Sequence, residues 1–451
     1  MILLRNILCL YTGADELSGV DVLVEGNRIA AIGAGPEVSE PPPGTDVIDC
    51  SNCVVMPGLI NTHHHFYQTL QRCLPSAQDE ALFDWLTTLY TIWRNLDEDA
   101  VHWSTLVACG ELLKTGCTAS TDQLYVFPRG SGGKFIDVEI DAASAIGMRF
   151  HPTRGSMSLG KSRGGLPPDE VVQSEAEILK DCERLIAEYH DPEFAAMVRI
   201  ALGPCSPFSV TRDLLVKTRE LATEADVLLH THIAETTDED DYCLRTYGMR
   251  PLELMQDCGW LGDDVWYAHG IHLNDDELAV LMDSGTGICH CPTSNMRLGS
   301  GAARVPEMLR MGMRLGLGVD GSASNDSSDM LAELRNCFLL HRLVGGSDAI
   351  TARQVLEMAT RGGASLLGRD DIGAIQEGKA ADIIGIDVKN ISYAGAVHDY
   401  AASIVICGGS HNVDFSIVNG KVVVRDGRLT TVDEAEVVRE ANRAALRLVS
   451  S

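Results

Sequence analysis

The chain has 451 residues, 45% of them hydrophobic, which is enough for a large buried core divided between one big domain and a smaller one. Its formal net charge of −28 excludes nucleic-acid backbone and anionic membrane surface as electrostatic partners, and the acidity is read as a source of solubility. The 14 cysteines lack the dense spacing of a disulfide scaffold, and Cys117, Cys289 and Cys291 sit in apolar runs, so reduced thiols and a cytoplasmic setting are expected.

The first ten residues are apolar, but they have no basic start, are interrupted by Arg5 and Asn6, and run into a Thr12-Gly13 turn. That pattern predicts a strand rather than a signal peptide or membrane span. Short β runs are expected at 2–10, 20–25, 28–32, 47–49 and 53–55, with a Gly26-Asn27 hairpin turn and a loop at Pro41-Pro42-Pro43-Gly44.

From residue 57 the pattern changes. Strand candidates at 58–61, 119–122, 148–153, 198–203, 227–232, 265–269, 287–290 and 315–320 alternate with helical stretches such as 100–114, 175–189, 211–224 and 275–282. Eight such repeats predict an α/β fold, a closed (β/α)8 TIM barrel over 57–371. The tail returns to β at 381–386 and 404–407. It then forms a hairpin from 413–418 and 421–424 around Asn419-Gly420, and the last twenty residues read as helix. Residues 1–56 and 372–451 are each too short for a core of their own. They are predicted to combine into a small β-sandwich with a C-terminal helix beside the barrel.

Candidate ligands lie at four predicted strand ends, the face where barrel enzymes carry their chemistry. His63 and His65 follow the first strand and, two residues apart, share a face. His232 and Glu235 end the fifth, His269 the sixth and Asp320 the eighth. Three protein ligands and an open position make a catalytic zinc site, which activates water for hydrolysis. Spacing does not choose between His230 and His232, which share a face. Cys289 and Cys291 also share a face and are read as packing.

In order along the chain, Pro57-Gly58-Leu59-Ile60-Asn61-Thr62-His63-His64-His65, His232-x-x-Glu235, Ala268-His269-Gly270, Gly318-Val319-Asp320-Gly321 and Glu377-Gly378-Lys379-Ala380-Ala381-Asp382 resemble the amidohydrolase superfamily. Within it, Pro292-Thr293-Ser294-Asn295-Met296-Arg297-Leu298-Gly299-Ser300-Gly301 resembles the branch that deaminates or dechlorinates nitrogen heterocycles. The resemblance implies His63, His65, His232 and Asp320 as metal ligands and Glu235, His269 and Asp320 as catalytic groups. It implies one metal, because 198–203 lacks the lysine of two-metal members; zinc is the first choice and iron accepts similar ligands. Gln68, Tyr125, Arg154 and Cys205 resemble substrate contacts of a purine deaminase. They imply hydrolytic deamination at C2 of an oxidised aminopurine, with Cys205 at an oxygen on C8. Two other readings are a triazine hydrolase on the same scaffold and a non-catalytic barrel that serves as an interaction protein. A homo-oligomer is the assembly that the resemblance implies.

Overall fold

The chain enters through sheet. β1 (Ile2–Ile7), β2 (Cys9–Tyr11), β3 (Glu16–Leu17), β4 (Val20–Glu25), β5 (Arg28–Gly33), β6 (Asp46–Asp49) and β7 (Cys53–Pro57) precede the barrel. The computed structural model describes residues 1–35, 38, 40, 42–408 and 412–450; Pro41 of the expected loop lies outside them. The run 2–10, expected as one strand, is two. Asn6 takes a φ of 59°, its N–H donates to Asp21 Oδ1 at 2.7 Å, and the chain changes sheet. Asparagine tolerates this left-handed conformation better than most residues.

The barrel strands are β8 (Leu59–Asn61), β9 (Cys117–Leu124), β10 (Arg149–Ser156), β11 (Ala201–Pro204), β12 (Leu228–Ile233), β13 (Val265–His269), β14 (Gly287–His290) and β15 (Leu315–Leu317). They pair in parallel and in sequence, and β15 returns to β8 through Leu317 and Asn61. All eight expected strands are present, 265–269 and 287–290 with the expected bounds and the other six shifted. The last ends at Leu317, so Asp320 lies beyond the strand rather than at its end. Helices form where caps permit, as at Glu175–Tyr189 and Asp275–Ser284, whose Ser174/Glu177 and Asn274/Glu277 capping boxes satisfy the first free N–H groups.

The return sheet is β16 (Ile383–Asp387), β17 (Phe415–Val418), β18 (Lys421–Arg425) and β19 (Arg428–Leu429). Both chain ends therefore build two sheets, ordered β5-β4-β1-β6 and β19-β18-β17-β16-β7-β2-β3, with a shared core that includes Leu4, Val22, Val55, Ile383 and Phe415. One expectation differs from this arrangement. The 404–407 run is part of a helix, Tyr400–Ile406, because Asp399 caps the N–H of Ala402; four apolar residues alone do not distinguish strand from helix. The C-terminal helix Glu434–Ser450 packs against barrel helix Glu98–Lys114, with Arg447 paired to Asp97 and Asp99. No helix among the described residues is long and apolar enough to cross a membrane.

Two features fasten the sheets to the barrel. Arg149, at the start of β10, is fully buried and grips Asp382 through Nε and Nη2 at 2.7 and 2.8 Å, and it also donates to the carbonyls of Ala195 and Ala196. Gly58 alone separates β7 from β8, and a Cβ there would lie 1.9 Å from Thr118 Oγ1. Gly58→Ala is therefore expected to cost about 1–3 kcal/mol through overpacking. Calorimetry should show a lowered Tm, and an unchanged Tm would contradict this packing.

Candidate metal centre and active site

Residues at or just beyond the ends of four barrel strands converge at one rim. His63 Nε2 and His65 Nε2 lie 3.3 and 3.4 Å from Asp320 Oδ1, and His65 Nε2 faces His232 Nε2 at 3.1 Å. His64 turns the other way, as alternation predicts, and meets Ser328 Oγ at 2.9 Å. Ala234, His269 and Asp320 all have positive φ (49°, 74° and 62°), so the chain bends sharply just past three strands. Such left-handed residues cost roughly 1–3 kcal/mol each and persist where surrounding contacts hold them.

The hydrogen bonds behind each imidazole fix its tautomer. His65 Nδ1 donates to the carbonyl of Gln123 at 2.8 Å and His232 Nδ1 to that of Cys205 at 2.6 Å, so both Nε2 lone pairs face the centre. His63 is held through one more residue. His230 Nδ1 donates to the carbonyl of Trp266 at 2.9 Å, which leaves His230 Nε2 to accept from His63 Nδ1 at 2.8 Å. His230 thus stands behind His63, whereas His232 faces the centre, an order that spacing alone left open.

His63 Nε2 is buried and makes no hydrogen bond among the described residues. Burial holds His63, His65 and His232 below the usual imidazole range, in the neutral form that a cation needs. Burial would raise Asp320. The close approach of His63, then of His269 and His65, more than offsets it and keeps the carboxylate well below its ordinary value. Three buried imidazole lone pairs beside one carboxylate fit a zinc ion.

Two adjacent residues of helix Pro292–Arg297 brace this centre. Ser294 Oγ donates to Asp320 Oδ2 at 2.5 Å, and Asn295 Oδ1 accepts from His269 Nδ1 at 3.0 Å. His269 Nε2 lies 3.5 Å from Glu235 Oε2 and 4.0 Å from Asp320 Oδ2. Burial raises Glu235 to about 7; His269 opposes the shift and Asp320 adds to it. Glu239, in the first turn of helix Thr237–Tyr247, is buried. Its Oε2 accepts from the N–H of Glu235 at 3.2 Å, and burial raises it to about 8. Sequence reading took Ser294 and Asn295 only as part of a family motif; their position just after a barrel strand was the available signal.

A narrow cleft opens beside the centre. Gln68, Tyr125 and Cys205 line it together with Glu235, His269 and Asp320. Both amide atoms of Gln68 are buried without a hydrogen-bond partner among the described residues. Burial raises Cys205 to about 12, so it stands as a thiol able to donate. Helix Leu82–Trp93, absent from the elements expected above, supplies Leu82, Trp85 and Leu86 to the cleft wall. Its 82, 85, 86, 89, 90, 93 apolar spacing is the helical signal that marks it.

Arg154 requires correction as a substrate contact. It is fully buried on the outer side of β10, where Asp181, Gln173 and the carbonyl of Gly155 take its guanidinium, which also lies over the Phe127 ring. Strand alternation turns it away from the cleft. A larger open depression, lined in part by Arg361, Arg369, Asp370 and Lys379, contains none of the strand-end ligands.

Residues 54–423 match the amidohydrolase family. The chain belongs to that family. It is 44% identical over 449 residues to 8-oxoguanine deaminase of Pseudomonas aeruginosa, covering 99% of each chain. It is 37% identical to hydroxydechloroatrazine ethylaminohydrolase of Pseudomonas sp. strain ADP, covering 98% of this chain and 95% of that one. Among solved structures, atrazine chlorohydrolase TrzN from Arthrobacter aurescens TC1, complexed with zinc, superposes with a TM-score of 0.94 at 34% identity, covering 99% of this chain and 100% of that one. As in its relatives, the fold and donor set are those of a metal-dependent hydrolase.

Ser294→Ala removes the short hydrogen bond on Asp320 Oδ2 and leaves Ser324 Oγ at 3.4 Å. Groups that orient metal ligands typically matter by about 10–100-fold in affinity or activity. Zinc titration against a chelator, paired with turnover, should show a loss of that order in at least one. A variant unchanged in both would remove Ser294 from this role.

Proposed function

We propose that this protein is a zinc-dependent aminohydrolase that converts 8-oxoguanine and water to urate and ammonia, with guanine and isocytosine as weaker substrates. The observation that carries this reading is the cleft. A thiol donor at Cys205 and an unpartnered amide at Gln68 stand in the same pocket as Glu235, and an oxidised purine satisfies both. The 44% full-length identity to 8-oxoguanine deaminase supports the same choice.

In this account His63, His65, His232 and Asp320 hold the ion, which when bound acts as a Lewis acid and makes water a nucleophile near neutral pH. Asp320 accepts the proton released as water adds to C2. Glu235, poised near 7 by burial, donates a proton to ring nitrogen N3. His269, oriented by Asn295, supports the oxygen as charge develops on it. The proton held by Asp320 passes to the exocyclic amine, the C2–N bond breaks as the C2 hydroxyl becomes a carbonyl, its proton returns to Glu235, and ammonia leaves. Gln68 and Tyr125 orient the ring edge, and the Cys205 thiol donates to the oxygen on C8.

The division into a barrel at 57–371 and a composite unit of 1–56 with 372–451, a homo-oligomeric assembly and a cytoplasmic location belong to the same proposal. A triazine hydrolase is the second reading, favoured by the TrzN superposition and by the 37% identity to an ethylaminohydrolase. Side-by-side ammonia and chloride release from 8-oxoguanine, guanine, isocytosine, a hydroxytriazine and a chlorotriazine separates the two. Fastest turnover of a triazine would overturn the purine assignment.

Glu235→Gln should lose ~10²–10⁴-fold in kcat while retaining the metal. Wild-type turnover in this variant would contradict the assigned role. Because Glu235 is raised to about 7 and acts as the acid, wild-type kcat should fall as pH climbs through that region. A flat profile from pH 6 to 9 would contradict the assignment.

Cys205→Ala deletes one buried hydrogen-bond donor, worth about 1–3 kcal/mol, or roughly 5–150-fold. The loss in kcat/KM should appear on 8-oxoguanine and largely spare guanine. Equal losses on both would place Cys205 away from C8.

A further inference from the structure

A second cluster of metal-ligating side chains lies outside the cleft. His290 is the last residue of β14, and helix Met330–Gly345 brings Cys337 and His341 against it. Cys337 and His341 are four residues apart and so share one helix face. Leu339 and Leu343 of the same helix are 47% and 84% exposed, while His290, Cys337 and His341 are buried. The ligand atoms of these three residues all lie within 4.8 Å of one another, the same closeness found for His63, His65 and Asp320. His290 Nε2 faces His341 Nε2 at 3.0 Å, much as His65 faces His232 at 3.1 Å.

We propose that His290, Cys337 and His341 supply three ligands of a second zinc site, buried and distinct from the catalytic centre. Two imidazoles and a thiolate are a donor set that thiophilic ions, zinc foremost, select over calcium or magnesium. Burial keeps both histidines below the usual range, His341 at about 4, so each offers a neutral ring. Burial pushes the Cys337 thiol up, so the ion must displace its proton on binding; the proton leaves to solvent and the sulfur–metal bond forms. A hydrogen bond between the two rings does not by itself complete the arrangement, because His290 Nδ1 has no partner among the described residues. The ion would pin β14 to the helix just before Pro292–Arg297, the turn that carries Ser294 and Asn295.

The test counts metal in the intact protein and reads its ligands. Protein loaded with zinc and freed of loose metal by gel filtration should hold two equivalents per chain by elemental analysis. Cobalt-loaded protein should show a thiolate-to-cobalt charge-transfer band, since none of the four ligands proposed for the catalytic centre is a sulfur. Cys337→Ser should drop the count to one and abolish the band while ammonia release persists. His341→Asn should also drop the count, and it serves should the serine variant fail to fold. One equivalent in the wild type, or a second equivalent without a band that depends on Cys337, would overturn the proposal.

Discussion

The site depends on the seam where the barrel closes. β15 meets β8 through a single residue pair, so the join rests on contacts just beyond the strands. The N–H of Thr62 donates to the carbonyl of Leu317 at 2.9 Å, that of Val319 to Asn61 Oδ1 at 2.9 Å, and that of Asp320 to the carbonyl of His63 at 3.1 Å. Gly318 permits the approach, because a Cβ there would lie 2.9 Å from His63 Cβ and 2.7 Å from Cys289 Sγ. The same bonds that close the cylinder set the carboxylate of the last strand beside the imidazoles of the first.

Burial then gives each group its chemical state. Imidazoles removed from water remain neutral and present lone pairs, and Asp320 beside them stays ionised, well below the usual carboxylate range. Glu235 has no equally strong partner and is raised toward neutrality, which suits a group that moves a proton. The carbonyls of Gln123, Cys205 and Trp266 direct the three ring systems without adding charge. Cys205 acts twice: its backbone orients His232, and its side chain faces the cleft.

Much of this was legible in the sequence because period-two strands place residues such as His63 and His65 on one face and strand ends on one rim. Short strand candidates alternate with helical stretches eight times, so the number and order of the barrel strands were readable. What escaped depends on contacts distant in sequence. Arg154 follows a strand as a substrate contact would, yet its destination is set by Asp181 and Gln173 on the far side of β10. Glu239 sits in an acidic run that reads as solvated, and only the fold turns it toward the N–H of Glu235. The short run 404–407 carries no periodicity, and its state is decided by the cap at Asp399.

Anomalous diffraction at the zinc edge, on crystals of the zinc-loaded protein, tests the central claim most directly. A peak should stand about 2.0–2.2 Å from the Nε2 atoms of His63, His65 and His232 and from an oxygen of Asp320. Well-ordered side chains at those four positions with no peak among them would contradict the account.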